Sequence, residues 1–308
     1  MRVLITGGAG YVGTELTNRL SRRDDVSEIV VYDNLSRKNY NLFLSEKFHS
    51  KNIRFVQGDI LDSHKLRKTL DSIDVVYHLA AKVTTPFGNE LPHVFEQINH
   101  WGTAELSYIL EKNPTPKVFY LSSTSVYGGG DEVFHEHSEP HPNTYYGISK
   151  YNGERMLTRL SGRPGTCVIR CGNVYGYSKS MRFDAVINRF MFEAHFRNRI
   201  SIQGSGRQKR SFVHIDHVTA VLAGLLNEDL ASGVYNLVET NLSIIDIADR
   251  IKELYPRLDM IFVNPDLELK SLLVKTSEAL TALQLHSPIS FGDELAEFRE
   301  RFAFESVF

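Results

Sequence analysis

The sequence predicts an α/β fold: a doubly wound, mostly parallel sheet joined to a smaller α/β part. Three observations carry that expectation. Short apolar runs alternate with segments of helical period over the first 170 or so residues, the pattern of a sheet covered on both faces. A glycine-rich turn links the first run to the first helix. An acid closes the second run, about 20 residues beyond the last of those glycines.

Val3-Leu4-Ile5 reads as a buried strand. Gly7, Gly10 and Gly13 then turn the chain, and from Tyr11 the apolar Val12, Leu16 and Leu20 recur at helical spacing. Glycine lets backbone approach a pyrophosphate closely, and the N–H groups of the new helix face such an anion. The spacing Gly7-x-x-Gly10-x-x-Gly13 departs from the commoner G-x-G-x-x-G, and an ordinary strand-to-helix turn is the alternative reading. The second strand, Glu28 to Asp33, ends in an acid that can accept hydrogen bonds from adenosine ribose hydroxyls. Asp33 disfavours a 2′-phosphate and so selects NAD over NADP, a preference that Arg37 and Lys38 weaken; a simple turn acid is the alternative.

A third strand runs from Ile53 to Asp59, placing Asp59 and Ile60 near an adenine at the carboxyl end of the sheet. A helix from Asp62 to about Leu70 precedes a fourth strand, Asp74 to Ala81, whose small ending after Leu79 (Ala80 and Ala81) leaves room for a ligand against backbone. Leu91, Phe95, Ile98, Trp101, Leu106, Ile109 and Leu110 give a helix that Pro114 and Pro116 stop. Lys117 to Ser122 is a fifth strand leading into Ser123-Thr124-Ser125-Val126-Tyr127-Gly128. Gly128 to Gly130 open a polar loop, a helix runs from near Tyr145 to about Leu160, and Arg163 to Arg170 is a sixth strand. Beyond it the rhythm loosens: helical patterns at 182–197, 216–227 and 243–254, strands at Val234–Leu237 and Met260–Val263. No linker, repeat or low-complexity tract interrupts the chain. The expected organisation is 1–171 for a dinucleotide and 172–308 for its substrate, the two partly interleaved.

Composition sets bounds. The chain has 308 residues, 42% hydrophobic and 23% charged, with net charge −2, which supports a sizeable core and argues against nucleic-acid binding by bulk charge. Its two cysteines, Cys167 and Cys171, make neither a zinc site nor a disulfide framework. With the first strand at residue 3 and no apolar run of about 18 residues, a soluble cytoplasmic protein free of membrane contact is expected.

The chemistry falls on Tyr146 and Lys150, spaced i, i+4 and so on one helical face. A nearby ammonium favours a phenolate, and an oxidised nicotinamide adds positive potential. Moving a tyrosine from pKa about 10 to about 7 takes roughly 4 kcal/mol. Such a phenolate can take a proton from a substrate hydroxyl while hydride leaves the same carbon, and Ser123 can align that oxygen. Exposed helix residues are the alternative reading of this pair.

Together the motifs Thr6-Gly7-Gly8-Ala9-Gly10-Tyr11-Val12-Gly13, Asp33-Asn34-Leu35, Gly58-Asp59-Ile60, His78-Leu79-Ala80-Ala81, Asn99-x-x-Gly102-Thr103, Ser122-Ser123-Thr124-Ser125-Val126-Tyr127-Gly128 and Tyr146-x-x-x-Lys150 resemble the extended short-chain dehydrogenase/reductase family. Within it they are similar to the NAD-dependent nucleotide-sugar epimerases and dehydratases, over essentially the whole chain. The resemblance implies a Rossmann fold, NAD held by Gly7, Gly10, Tyr11, Val12, Gly13, Asp33, Asn34, Asp59, Ile60, Leu79, Ala80, Ala81, Tyr146 and Lys150, and a catalytic triad of Ser123, Tyr146 and Lys150, with Thr124 the nearest rival to Ser123. It implies that Asn173 and Arg210 meet a substrate diphosphate, that Gln203 meets the base, and that Ser123 and Thr124 touch the sugar. The positions before Asn173 are Cys171 and Gly172 where the family carries aromatics, which implies a roomier pocket with Cys171 as a wall. Relatives often form homodimers through the helices at about 91–112 and 145–160.

Departures narrow the reaction. Members that eliminate water across C5–C6 place an Asp-Glu pair after the triad hydroxyl, and this chain has Thr124-Ser125. Decarboxylating members carry glutamate at the position of Ser125, and 3,5-epimerising members an extra cysteine in this loop. Oxidation at C4 remains, most simply in a 4-epimerase; a 4-dehydrogenase releasing a keto sugar is the alternative, and behind it stand a dehydratase and a non-catalytic NAD-binding regulator. The sugar pocket is expected to be shaped by Thr84 to Leu91 and by 177–210.

Overall fold

Apolar runs that meet protein on both faces set the frame of the molecule. The computed structural model describes residues 1–44, 52–83, 91–113, 116–160, 165–286 and 289–306. Strands and helices are numbered in chain order. The main sheet contains β1 (Arg2–Thr6), β2 (Glu28–Asp33), β3 (Ile53–Gln57), β4 (Val75–His78), β5 (Lys117–Ser123), β7 (Thr166–Cys171) and β11 (Gly233–Leu237). Their spatial order is β11-β7-β5-β4-β1-β2-β3, with every pair parallel. The chain leaves β1 in one direction to β2 and β3, then returns to its other side at β4. The carboxyl ends of β1 and β4 therefore flank the switch point at which such sheets bind ligands.

Alternate side chains of β1 feed two different cores. Val3 and Ile5 join Leu16 and Leu20 of α1 (Tyr11–Leu20) and Val218 and Leu222 of α8 (Ile215–Gly224). Leu4 joins Leu66 of α3 (Ser63–Thr69), Leu106 and Leu110 of α5 (Gly102–Lys112) and Leu157 of α6 (Tyr145–Leu157). The short α2 (Asn41–Leu44) lies after β2. A third core is confined to the later chain, among α7 (Val186–Arg197), α9 (Ile244–Leu254) and α11 (Phe291–Glu300). Small sheets complete that part. They are β8 (Asn173–Tyr175), β10 (Lys209–His214) and β12 (Thr240–Ser243); β9 (Arg199–Gln203) with β13 (Asp259–Val263); and β6 (Val133–Phe134) with β14 (Leu273–Val274). The helix α10 (Glu278–Ala282) follows β14. No helix of the described residues is long and apolar enough to cross a membrane.

The expected elements are present with shifted ends. The third strand stops at Gln57, because Gly58 is pressed against Tyr32 so closely that a Cβ there would fall 2.3 Å from the ring. The helix expected over 91–110 runs from α4 (Pro92–Phe95) through a π-helical stretch, Glu96–Trp101, into α5. The helix of Tyr146 ends at Leu157 and tightens to a 3₁₀ turn over Thr158–Leu160. The 182–197 segment is helical only from Val186, with Ala185 still extended. The chain beyond residue 171 also returns to the main sheet, since β11 pairs with β7.

A buried ion pair ties these layers together. Arg170 on β7 donates from Nη2 to Glu154 Oε2 on α6 at 2.7 Å, and from Nε to Oε1 at 3.1 Å. Ser122 Oγ on β5 donates to the same Oε1 at 2.5 Å. Arg170 also reaches the Tyr127 hydroxyl at 3.0 Å, and that hydroxyl donates to Asn236 Oδ1 on β11 at 2.7 Å. Both charged side chains are only 5% exposed, so neither has water as a substitute partner. Glu154→Gln is expected to cost about 3–5 kcal/mol by leaving the guanidinium buried and uncompensated, read as a lower denaturant midpoint at unchanged m-value.

Candidate active site

The glycine turn is built by close approach. Gly7 sits at φ +71°, and a Cβ there would fall 2.6 Å from the Ala80 nitrogen. A Cβ on Gly13 would fall 2.4 Å from the Gly7 carbonyl oxygen. The first helix is thus seated directly on the turn, which is itself pressed against the end of β4. Gly10 is the N-cap and offers no side-chain cap, so the first N–H groups of α1, from Tyr11, Val12 and Gly13, stay available to an anion.

Asp33 closes one side. Its Oδ2 accepts from Ala9 N at 3.1 Å and its Oδ1 from Leu35 N at 2.8 Å. Burial raises its pKa, while those two amides and the charge of Arg37 pull it back. Arg37 lies 3.9 Å from Asp184, so part of the charge expected to weaken the choice of NAD is engaged elsewhere. Asn34 Nδ2 donates to Asp59 Oδ2 at 2.8 Å, and the Tyr32 hydroxyl holds the Asp59 carbonyl at 2.7 Å. The Ile60 side chain is buried, packed where a Cβ on Gly102 would touch it at 2.5 Å, which leaves its backbone for the expected adenine. The Tyr11 phenol also points away, donating to the Gly176 carbonyl at 2.5 Å.

The segment after β4 is clamped by a buried asparagine. Asn99, in the π-helical stretch, accepts from Lys82 N at 2.8 Å and donates to Lys82 O at 2.9 Å and to Ser149 Oγ at 2.9 Å. It fixes the half-buried Leu79, Ala80 and Ala81 relative to the helix of Tyr146. Below it, Thr6, His78 and Thr103 form a chain of hydrogen bonds of 2.8 and 2.9 Å. Burial and the charge of Lys150 push the His78 pKa down to about 3. The expected pocket residues 84–90 lie outside the described residues.

Ser123 ends β5 and caps the 3₁₀ turn Thr124–Tyr127, accepting from Ser125 N at 3.1 Å and donating to Ser125 Oγ at 3.1 Å. Thr124 is buried. Burial raises the Tyr146 pKa; the positive charge of Arg182 and the Ser123 hydrogen bond lower it, and the Cys171 thiol raises it again. Cys171 is itself buried, with its thiol pushed up to about 12, so it is a protonated wall rather than a nucleophile.

Two points differ from the sequence reading. Lys150 shares the helical face of Tyr146, but its Nζ donates to the Leu121 carbonyl at 2.7 Å and lies 4.1 Å from the centre of the Tyr120 ring. Burial lowers its pKa to about 7, against the opposing pull of Glu154. The positive charge that lowers the pKa of the phenol comes from Arg182, a residue the sequence did not single out. It stands in a loop before α7, with no motif around it, and its Nε is shared by both oxygens of Asp184 at 3.1 Å.

On the other side of the cleft, Asn173 on β8 pairs in register with Phe212 of β10 and donates to the Ser211 carbonyl at 3.1 Å. Arg210, two positions before Phe212, meets only carbonyls among the described residues: Lys209 O at 2.8 Å and Lys270 O at 2.5 Å. Burial lowers its pKa with no acid opposing the shift, the condition of a cation waiting for an anion. Gln203 ends β9, its carbonyl accepting from Gln208 Nε2 at 3.3 Å.

A family model described as NAD dependent epimerase/dehydratase family matches residues 3–237. The dTDP-D-glucose 4,6-dehydratase of Mus musculus is 29% identical, over 82% of this chain and 72% of that protein. A dTDP-glucose 4,6-dehydratase of Streptomyces niveus is 26% identical, over 96% of this chain and 91% of that protein. Among solved structures, UDP-glucuronic acid 4-epimerase from Bacillus cereus, in complex with UDP-glucuronic acid and NAD, matches with a TM-score of 0.84 at 26% identity, covering 97% of this chain and 98% of that one. The cofactor is NAD, and the residues fit it: a glycine cradle that a Cβ would fill, an uncapped helix start, and a carboxylate at the end of β2.

The buried lysine gives the site a pH signature. Its pKa falls from 10.5 in the unfolded chain to about 7 in the folded one, so between these values the unfolded state binds more protons and stability rises with pH. The penalty grows as pH drops from about 10 and is complete below about 7. Lys150→Met is therefore expected to be more stable than the parent at pH 6, with the gap in urea midpoint closing towards pH 10.

Proposed function

This chain belongs to the NAD-dependent epimerase/dehydratase family, and from that premise we propose that it inverts C4 of a nucleotide-diphosphate sugar. The reading rests on one observation. Behind Ser123 stand Thr124 and Ser125, and Ser125 is turned back onto Ser123 by its hydroxyl and its amide. The positions that would carry acid–base groups for elimination hold hydroxyls, used to aim another hydroxyl.

Arg210 and Asn173 would hold the diphosphate, with Gln203 towards the base, leaving the sugar to face Ser123 and Tyr146. Ser123 orients the C4 hydroxyl. Tyr146, as phenolate, takes its proton and later returns it. NAD, when bound, accepts and gives back the hydride at C4. Between the two transfers the flat keto sugar presents its opposite face, a movement that requires the diphosphate to be anchored and the sugar to be free. Lys150, gripping the Leu121 carbonyl at the floor of the site, is suited to a cofactor ribose and to restoring its own charge there. Arg182 supplies the cation that favours the phenolate.

A 4,6-dehydratase is the second reading, favoured by relatives such as the mouse and Streptomyces niveus proteins. A 4-dehydrogenase releasing the keto sugar is a third. NMR of reactions with NAD⁺ and UDP-glucose, UDP-glucuronate or dTDP-glucose separates them. A product inverted at C4 is expected; a 4-keto-6-deoxy sugar would establish the dehydratase instead, and an accumulating 4-keto sugar with NADH the dehydrogenase. Tyr146→Phe is expected to lower turnover by about 10²–10⁴.

We also read the helices α4 to α6 as a contact between two copies. Phe95 is buried against the Tyr146 ring and Ile98 packs on the core, but Leu91, Trp101, Tyr108, Tyr145 and Ile148 are exposed. Light scattering is expected to give twice the 35.0 kDa chain mass.

A further inference from the structure

Away from the cleft, three ligand-type side chains from distant parts of the chain converge on one point. His217 lies in the first turn of α8, Glu239 in the turn between β11 and β12, and His286 in the segment after α10. A single carboxylate oxygen, Glu239 Oε1, faces both rings: His217 Nδ1 is 3.3 Å away and His286 Nε2 is 3.8 Å away. The three ligand atoms all lie within 4.8 Å of one another. The side chains are 17%, 11% and 18% exposed, in the order 217, 239, 286, so the cluster is lined by protein yet reachable.

A hydrogen-bonded relay explains only part of this. The His217 contact fits a hydrogen bond, but 3.8 Å to His286 does not, and among the described residues the His286 ring makes no hydrogen bond. The two imidazoles are stacked, with centroids 4.5 Å apart and planes 22° apart. A shared ion accounts for all three groups. With metal–ligand bonds of about 2.0–2.1 Å, the edge of a tetrahedron is about 3.3–3.4 Å. The Glu239–His217 distance already has that value, and the Glu239–His286 distance needs only a small inward turn.

The surroundings hold the donors in place. The second Glu239 oxygen, Oε2, accepts from His214 N at 2.9 Å, the kind of supporting contact that orients a ligating carboxylate. Leu285 packs against α8 where a Cβ on Gly224 would touch it at 2.6 Å. Gly224 is two helical turns beyond His217 on the same face, so this contact delivers the neighbouring His286 over His217.

We propose that His217, Glu239 and His286 form a binding site for one divalent transition-metal ion of the zinc type. Two imidazoles and one carboxylate match zinc and its neighbours rather than magnesium or calcium, which take oxygen donors. Three protein ligands leave a position for water. The ion would staple α8, the β11–β12 turn and the segment after α10, three stretches that share no backbone pairing at this point. It stands apart from the cleft: His214 and the Gly176 backbone lie between it and the glycine-turn helix.

The test is calorimetric titration of ZnCl₂ into the full chain, tag-free and stripped with EDTA, alongside thermal melts. One zinc per chain and a melting temperature that rises with zinc and falls back with EDTA are expected. Co²⁺ should give the visible d–d bands of a low-coordinate site. His286→Ala, in a peripheral segment, should retain the parent circular dichroism spectrum and lose at least about 100-fold in zinc affinity, at or above the upper end of what removal of a merely supporting contact costs. Glu239→Gln should weaken binding likewise. His137→Ala, in the surface pair His135–His137, should leave it unchanged. No saturable zinc binding to the parent would overturn the proposal. So would binding that survives His286→Ala but is lost in His137→Ala, which would assign the metal to surface histidines.

Discussion

The pairing of Arg170 with Glu154 is the constraint on which the catalytic face depends. Both charges are buried, and a buried charge persists only while its partner and its remaining hydrogen bonds are in place. Those bonds come from β5 through Ser122 and, by way of Tyr127, from β11 through Asn236. Glu154 follows Lys150 by one helical turn and Tyr146 by two. Fixing Glu154 to the sheet therefore fixes the rotation of α6 about its own axis, and with it the direction in which the lysine and the phenol point. The strand β11, contributed by the later part of the chain, is thus needed to aim residues of the earlier part.

The glycine turn is coupled to the later chain in a second way. The helix that begins at Tyr11 is gripped along one side by residues 176–180: Tyr11 through the Gly176 carbonyl, Thr14 through Ser180 Oγ at 2.7 Å, and Glu15 through Ser178 Oγ at 2.7 Å. Arg182, whose charge acts on Tyr146, follows directly. Asn188 closes the arrangement by bonding Tyr11, the Gly176 amide and the Arg182 carbonyl. The glycine-turn helix, the segment 176–180 and the Arg182 backbone are consequently one hydrogen-bonded unit, although the first is separated from the others by more than half the chain.

How much of this was legible depended on which force shaped each element. The central main-sheet strands β1 and β2 are continuous apolar runs because both faces are buried, and their existence could be read from Val3-Leu4-Ile5 or Ile29-Val30-Val31 alone. The strands β8, β10 and β12 could not. They are short, and Lys209-Arg210-Ser211 or Thr240-Asn241 carry no apolar alternation; their pairing comes from tertiary contacts rather than local pattern. The motif residues Ser123, Tyr146 and Asp33 lie on the elements the sequence assigned them, the end of β5, the start of α6 and the end of β2. Asn99 was visible as a motif but not as the clamp on Lys82. Arg182 carried no signal at all, because a lone basic residue in a loop is ordinarily surface. Lys150 was expected as a standing ammonium beside the phenol, and its depth in the core, which no spacing rule reports, changes that.

That depth bears on when the base exists. In the protein by itself, burial holds the Tyr146 phenol protonated, and Arg182 and Ser123 only partly offset this. Lys150, the charge expected to do more, is itself pushed towards neutrality and spends its hydrogen bond on Leu121. On the proposed reading, a bound NAD would give Lys150 hydroxyl acceptors that favour its charged form, and the positive charge of its oxidised form would add to the potential at the phenol. Both contributions arrive only with the cofactor. On that reading the electrostatics that would make Tyr146 a base are assembled by binding, so that the proton-abstracting group is ready only when the hydride acceptor is in place.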